Sequence, residues 1–175
     1  MTLFDRVAQL LAAQEIRHAL IGASALAVYG VARSTYDIEL LTTDTRALGA
    51  GLWQPLYDDG ATVDIRQGDA DRPLTGVVRI EHGDERPVDI VVGRQAWQTR
   101  AVERAEHPPG SVPVVAARDL VLLKLFAGGT HDLGDVRELL ELPGADRLRA
   151  DVEADLADQP ADMRVRWEAI RGEPA

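Results

Sequence analysis

The order of hydrophobic patterns along the chain is the feature that most constrains its fold. Short apolar runs and alternating patterns fall in the first two thirds, whereas apolar residues recur at helical spacing through the last third. The predicted strands are residues 19–21, 36–41, 62–66, 76–81 and 87–92, with a further short one at 112–115. The predicted helices are residues 4–11, 23–29, 45–56, 119–127, 131–141, 145–156 and 161–170, with one more beginning at Arg94. Strands followed by helices are typical of an α+β (mixed α/β) fold, here a mixed β-sheet flanked by helices with a helical C-terminal part.

The length of the chain favours one structural core with a helical annex. A chain of 175 residues that is 46% hydrophobic can bury one core but is too short for two domains of ordinary size. We expect a core at residues 1–116, a helical part packed on it at 117–172, and a disordered tail at 173–175. The turn-forming residues 82–85 predict that the strands on either side of them pair as a hairpin.

Composition excludes several functional classes. The absence of cysteine rules out disulfides, thiolate metal ligands and a cysteine nucleophile. A net charge of −10 argues against a protein that coats nucleic acid non-specifically, because such binding needs a basic surface. No apolar stretch approaches the roughly 20 residues that span a bilayer, so we expect no membrane partner and a cytoplasmic location. The four histidines lack metal-ligand spacing, and the central arginines, Arg79 among them, are interpreted as solvated surface.

An acidic pair lies on an alternating strand. Asp37 and Glu39 are two residues apart, so both side chains should leave the same face of strand 36–41. Asp89 lies on strand 87–92, where its apolar neighbours would face the core. Three carboxylates from two strands would suit Mg²⁺ or Mn²⁺, which bind through a few carboxylates and substrate phosphates. The alternative is that these acids only form the solvent-exposed face of an amphipathic sheet.

A glycine joins the first strand to the following helix. Gly22 follows the apolar run 19–21 and precedes Ala23 and Ser24, which open the predicted helix. Free backbone N–H groups and the helix dipole at such a turn can receive a phosphate. A tight strand-to-helix turn without a ligand explains the glycine equally well.

These segments together resemble the nucleotidyltransferase superfamily related to DNA polymerase beta. The resemblance is nearest to bacterial members of the abortive-infection and toxin–antitoxin type. Four segments carry it: residues 22–39 (GASALAVYGVARSTYDIE), 86–92 (RPVDIVV), 117–129 (ARDLVLLKLFAGG) and 132–136 (DLGDV). It covers most of residues 19–142, and its specificity lies in the ordered set of segments.

The resemblance implies a role for each matching residue. Asp37, Glu39 and Asp89 would hold the metal, and Asp89 would also take the proton from the acceptor. Asp64 is the rival third acid, and Asp89 is preferred because the hairpin and following helix match the order of the family. The implied nucleotide-binding residues are Gly22, Ala23, Ser24, Arg33 and Lys124.

The only lysine of the chain forms part of the implied site. Lys124 lies within an apolar helix, where a charge is costly without a partner. The resemblance implies that it acts with an acid from Asp132 or Asp135, which share a helical face. A lysine that extends from the rim of the helix into solvent, and acids that only interact with the helix dipole, are the alternatives.

The implied activity is transfer of a nucleoside monophosphate from a triphosphate to an unknown acceptor, which could be RNA such as tRNA, a protein or a small molecule. A cognate toxin or antitoxin partner is a further expectation. Two departures from the family pattern, Ala23 after the glycine and Glu39 as the second acid, favour a rival hypothesis. In that hypothesis the chain is a catalytically silent nucleotide-binding or partner-binding module. A purely structural interaction protein is the third alternative.

Overall fold

The computed structural model describes residues 1–69, 73–109 and 111–172, so the predicted tail at 173–175 lies outside the described residues. The helices are α1 (Leu3–Ala13), α2 (Gly22–Val28), α3 (Gln54–Asp58), α4 (Ala96–Glu103), α5 (Ala117–Ala127), α6 (Thr130–Leu140), α7 (Ala145–Leu156) and α8 (Ala161–Ile170). The strands are β1 (Ala19–Ile21), β2 (Ile38–Thr42), β3 (Thr62–Gln67), β4 (Leu74–Glu81) and β5 (Val88–Gly93). Within these described ranges no helix is long and apolar enough to cross a membrane.

The five strands form one mixed sheet in the order β1-β2-β5-β4-β3. The β2–β5 pair is parallel and the other pairs are antiparallel, so the predicted α+β fold with a mixed sheet is confirmed. The predicted hairpin is also confirmed, because β4 and β5 pair on either side of the turn.

The register of the sheet separates a core face from a polar face. Leu40 pairs with Ile90, and Ile90 pairs with Val78, so these fully buried side chains form a row on the core face. One position away, Glu39 pairs with Asp89 and Asp89 with Arg79, which forms a parallel row of charged residues. Alternation along β4 and β5 therefore keeps hydrophobic packing and charge on opposite faces of these two strands.

The described chain divides into two compact units. The first contains the sheet, α1, α3 and α4, and comprises Met1–Ser24 and Ser34–Val115. The second comprises Ala25–Arg33 and the chain from Ala116 onward, and in it α5 packs against α6, α7 and α8. The sequence-based division at 116/117 stays a prediction, and the contacts assign the segment Ala25–Arg33 to the helical unit.

Two predicted elements differ in the structure. The helix expected at 45–56 is divided into two 3₁₀ turns, Thr45–Leu48 and Ala50–Trp53, followed by α3. Gly49 lies between the 3₁₀ turns in an extended conformation, which ends the first one. The strand expected at 112–115 is reduced to isolated bridges from Val114 to Leu20 and to Glu106.

Candidate active site

Gly22 and Glu39 lie close together in the first unit. Gly22 directly follows β1 and has φ +64°, a left-handed conformation that glycine adopts without strain. A Cβ at Gly22 would overlap with Oε2 of Glu39 and lie 2.8 Å from its Cδ. The missing side chain of Gly22 therefore leaves the space that the Glu39 carboxylate uses, beside the first residue of α2. Ala23 and Ser24 are the next two residues of this helix.

Asp37 lies just before β2 rather than within it. The sequence placed it on a strand beginning at residue 36, but β2 begins at Ile38, and Tyr36 is 70% exposed where the alternation predicted a buried side chain. The Thr35 hydroxyl donates to Oδ1 of Asp37 at 2.7 Å, and Nη2 of Arg86 donates to its carbonyl oxygen at 2.9 Å. These contacts hold the backbone and one carboxylate oxygen of Asp37 in place, although Asp37 is not part of a strand.

Asp89 lies within β5 and shares a cation with Asp37. Nη1 of Arg79 donates to Oδ2 of Asp89 at 2.8 Å and lies 3.8 Å from Oδ2 of Asp37. Burial raises the pKa of Asp89; the Arg79 charge opposes this rise, and the Asp37 carboxylate adds to it. Oδ1 of Asp89 is buried and has no hydrogen-bond partner among the residues that the structure describes.

The sequence did not identify Arg79 as part of this site. Its Nε donates to Oε1 of Glu81 at 2.8 Å while its other end contacts the two aspartates. The rival acid Asp64 is the partner of Arg79 on β3, but its carboxylate contacts Arg66 at 2.6 Å instead. The structure therefore brings Asp89, and not Asp64, next to Asp37.

Two of the three predicted carboxylates are arranged in a way that suits a divalent cation. Within residues 1–69, 73–109 and 111–172, no group of three His, Cys, Asp or Glu side chains is arranged to hold a metal ion. Asp37 and Asp89 nevertheless converge on one cationic group, and Asp89 keeps a buried oxygen without a donor. Two hard oxygen donors of this kind fit Mg²⁺ or Mn²⁺. The Glu39 carboxylate is turned toward Gly22, so the predicted set of three is not assembled in this conformation.

Lys124 forms a second charged cluster, which lies within the helical unit. Its Nζ is 2.9 Å from Oδ1 of Asp132 and 2.8 Å from Oδ2 of Asp135, and its side chain is 12% exposed. Arg33 forms an ion pair with the other oxygen of Asp135. Burial lowers the pKa of Lys124, but the hydrogen bonds and charges of Asp135 and Asp132 outweigh it and raise this pKa overall.

The helix ends explain how these groups meet. Lys124 is in the last turn of α5, and Gly128, with φ +69°, ends that helix. Asp132 lies in the first turn of α6 and accepts a hydrogen bond from the Gly129 N–H at 3.2 Å. The predicted residues thus form two clusters, one around Asp37, Asp89, Glu39 and Gly22 in the first unit and one around Lys124, Arg33, Asp132 and Asp135 in the second.

The sheet and helices have the nucleotidyltransferase-like fold, as comparison with solved structures shows. The antibiotic-resistance factor ANT(2'')-Ia in complex with adenylyl-2''-tobramycin is similar, with a TM-score of 0.57 and 16% identity over 94% of this chain and 97% of that one. The solution structure of the same factor gives a TM-score of 0.55 and 16% identity over 95% and 92%. An antigenic nucleotidyltransferase-like protein from Paracoccidioides brasiliensis has a TM-score of 0.49, with 15% identity over 90% and 88%. No family model matches the chain, and no curated protein does.

Proposed function

We propose that this chain is a metal-dependent nucleotidyltransferase that moves a nucleoside monophosphate from a nucleoside triphosphate to an acceptor hydroxyl. The observation that carries the proposal is the convergence of Asp37 and Asp89 on one cationic group, with a buried Asp89 oxygen that has no donor in the described structure. The fold supports it, because the similar factor ANT(2'')-Ia was captured with an adenylylated compound.

In this proposal, Asp37 and Asp89 would hold Mg²⁺ or Mn²⁺, and Glu39 would join them on turning away from Gly22. The bound ion would polarise the phosphoryl oxygens and stabilise the leaving pyrophosphate. Asp89 accepts the proton of the acceptor hydroxyl, a role that suits a carboxylate whose pKa is raised by burial. The turn at Gly22, Ala23 and Ser24 contributes backbone N–H groups to the nucleotide phosphates.

Lys124 and Arg33 are the two cationic side chains that the proposal assigns to the triphosphate. Lys124 and Arg33 are already balanced by Asp132 and Asp135, so their side chains are held in defined positions before any ligand binds. Prepositioned cations stabilise a transferring phosphoryl group without reorganisation during the reaction.

The charge of the chain favours a cationic small molecule as the acceptor. A net charge of −10 repels the phosphate backbone of RNA and attracts positively charged compounds. The bound compound in the ANT(2'')-Ia structure is adenylyl-2''-tobramycin, which makes tobramycin a suitable first acceptor. Membership of the abortive-infection or toxin–antitoxin group, with tRNA or a protein as the acceptor, is the alternative within the same activity.

The test is a transfer assay with nucleoside triphosphates labelled at the α-phosphate. Each nucleotide is incubated with Mg²⁺ or Mn²⁺ and with tobramycin, bulk tRNA or the protein alone, and labelled product and pyrophosphate are measured. We expect Asp37→Asn and Asp89→Asn to lower the rate by roughly 10²–10³-fold. The matched control Asp64→Asn, on the same face of the sheet, should leave the rate unchanged. Equal rates in Asp89→Asn and the unaltered protein would contradict the proposal.

A catalytically silent nucleotide-binding module is the second candidate. The contact of Arg79 with both aspartates and the orientation of Glu39 toward Gly22 favour it, because a protein cation already neutralises the aspartates and Glu39 is not part of their cluster. Calorimetry separates the two candidates. Nucleotide binding that needs no divalent ion and survives Asp37→Ala favours the silent module, whereas binding that is lost without metal favours the enzyme.

A further inference from the structure

We infer that Arg79 is a built-in counterion of the acidic pair, which holds Asp37 and Asp89 together in the metal-free protein and is displaced when a divalent cation binds. Arg79 is then a positioning residue that competes with the metal. The inference rests on the proposed function, because it takes Asp37 and Asp89 as the metal-binding acids.

The sheet register brings the arginine to this position. Arg79 on β4 is the cross-strand partner of Asp89 on β5, so the two side chains leave the same face of the sheet. The arginine side chain reaches across this face to 3.8 Å from Oδ2 of Asp37, which lies before β2 on the far side of β5. One guanidinium nitrogen, Nη1, contacts both carboxylates.

The guanidinium of Arg79 contacts, through one nitrogen, both carboxylates that would hold the metal ion. Mg²⁺ and Mn²⁺ attract the same carboxylate oxygens, so the guanidinium and the ion compete for Oδ2 of Asp89. The buried Oδ1 of Asp89 accepts no hydrogen bond within the described residues, so the arginine leaves half of this carboxylate without a partner. A cation with several coordination positions would satisfy both oxygens.

Glu81 provides a second partner for the displaced arginine. It lies two residues from Arg79 on the same face of β4, and its Oε1 accepts the Nε–H of Arg79 at 2.8 Å. A guanidinium that leaves the aspartates therefore keeps a charge-assisted hydrogen bond on its own strand. Glu81 should lower the cost of displacement, so replacements of Arg79 and of Glu81 are expected to change metal affinity in opposite directions.

The experiment measures Mn²⁺ affinity by calorimetry or by electron paramagnetic resonance, in the absence of nucleotide and acceptor. We expect Arg79→Met to bind Mn²⁺ about tenfold more tightly than the unaltered protein. Glu81→Gln should bind it more weakly, because the displaced arginine then loses its second partner. The matched control Arg66→Met removes an exposed arginine paired with Asp64 on β3 and should leave the affinity unchanged.

Thermal unfolding supplies an independent measurement. Arg79→Met should lower the melting temperature of the metal-free protein, because two neighbouring carboxylates lose their counterion, and saturating Mn²⁺ should raise it by more than in the unaltered protein. Arg79→Lys keeps the positive charge without the forked donors of a guanidinium, and it replaces Arg79→Met in the test if that variant does not fold. The Mn²⁺ affinity of Arg79→Lys should lie between those of the unaltered protein and Arg79→Met.

The outcomes separate this inference from the proposed function. If the unaltered protein binds Mn²⁺ and Arg79→Met binds it equally or more weakly, the arginine is only a structural cross-strand ion pair, and the proposed function is unaffected. If neither protein binds Mn²⁺, the metal-dependent function and this inference both fail. Weaker binding in Glu81→Gln together with tighter binding in Arg79→Met would support it.

Discussion

Replacing Gly22 with alanine should separate the stability of this protein from its activity. Gly22 has φ +64°, and an alanine Cβ there would overlap with the end of the Glu39 side chain. Gly60 offers a matched control in the same unit, because its φ is +88° but a Cβ built on it meets no atom within 4 Å. The two substitutions therefore share a backbone cost and differ in the steric effect on Glu39.

The expected magnitudes follow from these two effects. An L-residue in a left-handed conformation costs about 1–2 kcal/mol, so both variants should lose roughly that amount of stability. For a chain of this size each kcal/mol lowers the melting temperature by about 2–4 °C. The overlap adds little to the stability cost in Gly22→Ala, since the end of a glutamate side chain can rotate away. The added methyl group stands at the turn whose backbone N–H groups the proposal assigns to the nucleotide phosphates, and a displacement of about 1 Å there can lower a catalytic rate by about 100-fold.

Thermal unfolding and the nucleotide-transfer assay on both variants test this reasoning. We expect similar melting temperatures for Gly22→Ala and Gly60→Ala, and a loss of transfer in Gly22→Ala alone. Transfer at the unaltered rate in Gly22→Ala would contradict the proposed role of the Gly22 turn in binding the nucleotide phosphates.

Further predictions concern the buried charges. Asp89→Asn should raise the melting temperature at neutral pH without divalent ions, because the raised pKa of Asp89 means that folding disfavours its charged form. The gain over the unaltered protein should decrease as the pH falls through the folded-state pKa and vanish below the ordinary pKa of aspartate. A less stable Asp89→Asn at neutral pH would contradict this. Lys124→Met should cost about 1–3 kcal/mol in denaturant unfolding, because Asp135, whose side chain is 4% exposed, loses one of its two ion-pair partners among the described residues and keeps Arg33. Because the pKa of Lys124 is raised in the folded state, the stabilisation from its charge is fully present below the ordinary lysine pKa. This stabilisation should be lost as the pH rises through the folded-state pKa. A stability difference between Lys124→Met and the unaltered protein that persists above that pH would refute this prediction.

The sequence predicted those features that depend on local pattern. The alternating pattern around Asp89 correctly predicted which face of the sheet its side chain occupies, since Val88, Ile90 and Val92 are fully buried and Asp89 is not. The hairpin between β4 and β5 followed from the turn residues between them. The predicted 45–56 helix is divided because Gly49, inside the helical pattern, adopts an extended conformation.

The features that the sequence did not predict depend on tertiary contacts. Arg79 was interpreted as solvated surface, although a hairpin with the correct register would have placed it opposite Asp89. The position of the Glu39 carboxylate depends on the space left by Gly22, 17 residues earlier in the chain, which no local pattern describes. Side-chain rotamers in a cluster of like charges depend on all of its neighbours together, so the identity of the acids was predictable and their arrangement was not.

The most direct measurement is anomalous diffraction from crystals soaked with Mn²⁺ and a non-hydrolysable nucleoside triphosphate. We predict a Mn²⁺ peak within about 2.0–2.3 Å of carboxylate oxygens of both Asp37 and Asp89, with the Arg79 guanidinium moved away from Asp89. Saturated crystals in which Arg79 still bridges Asp37 and Asp89, with no Mn²⁺ peak at these two side chains, would contradict the assignment of this acidic pair as the metal site.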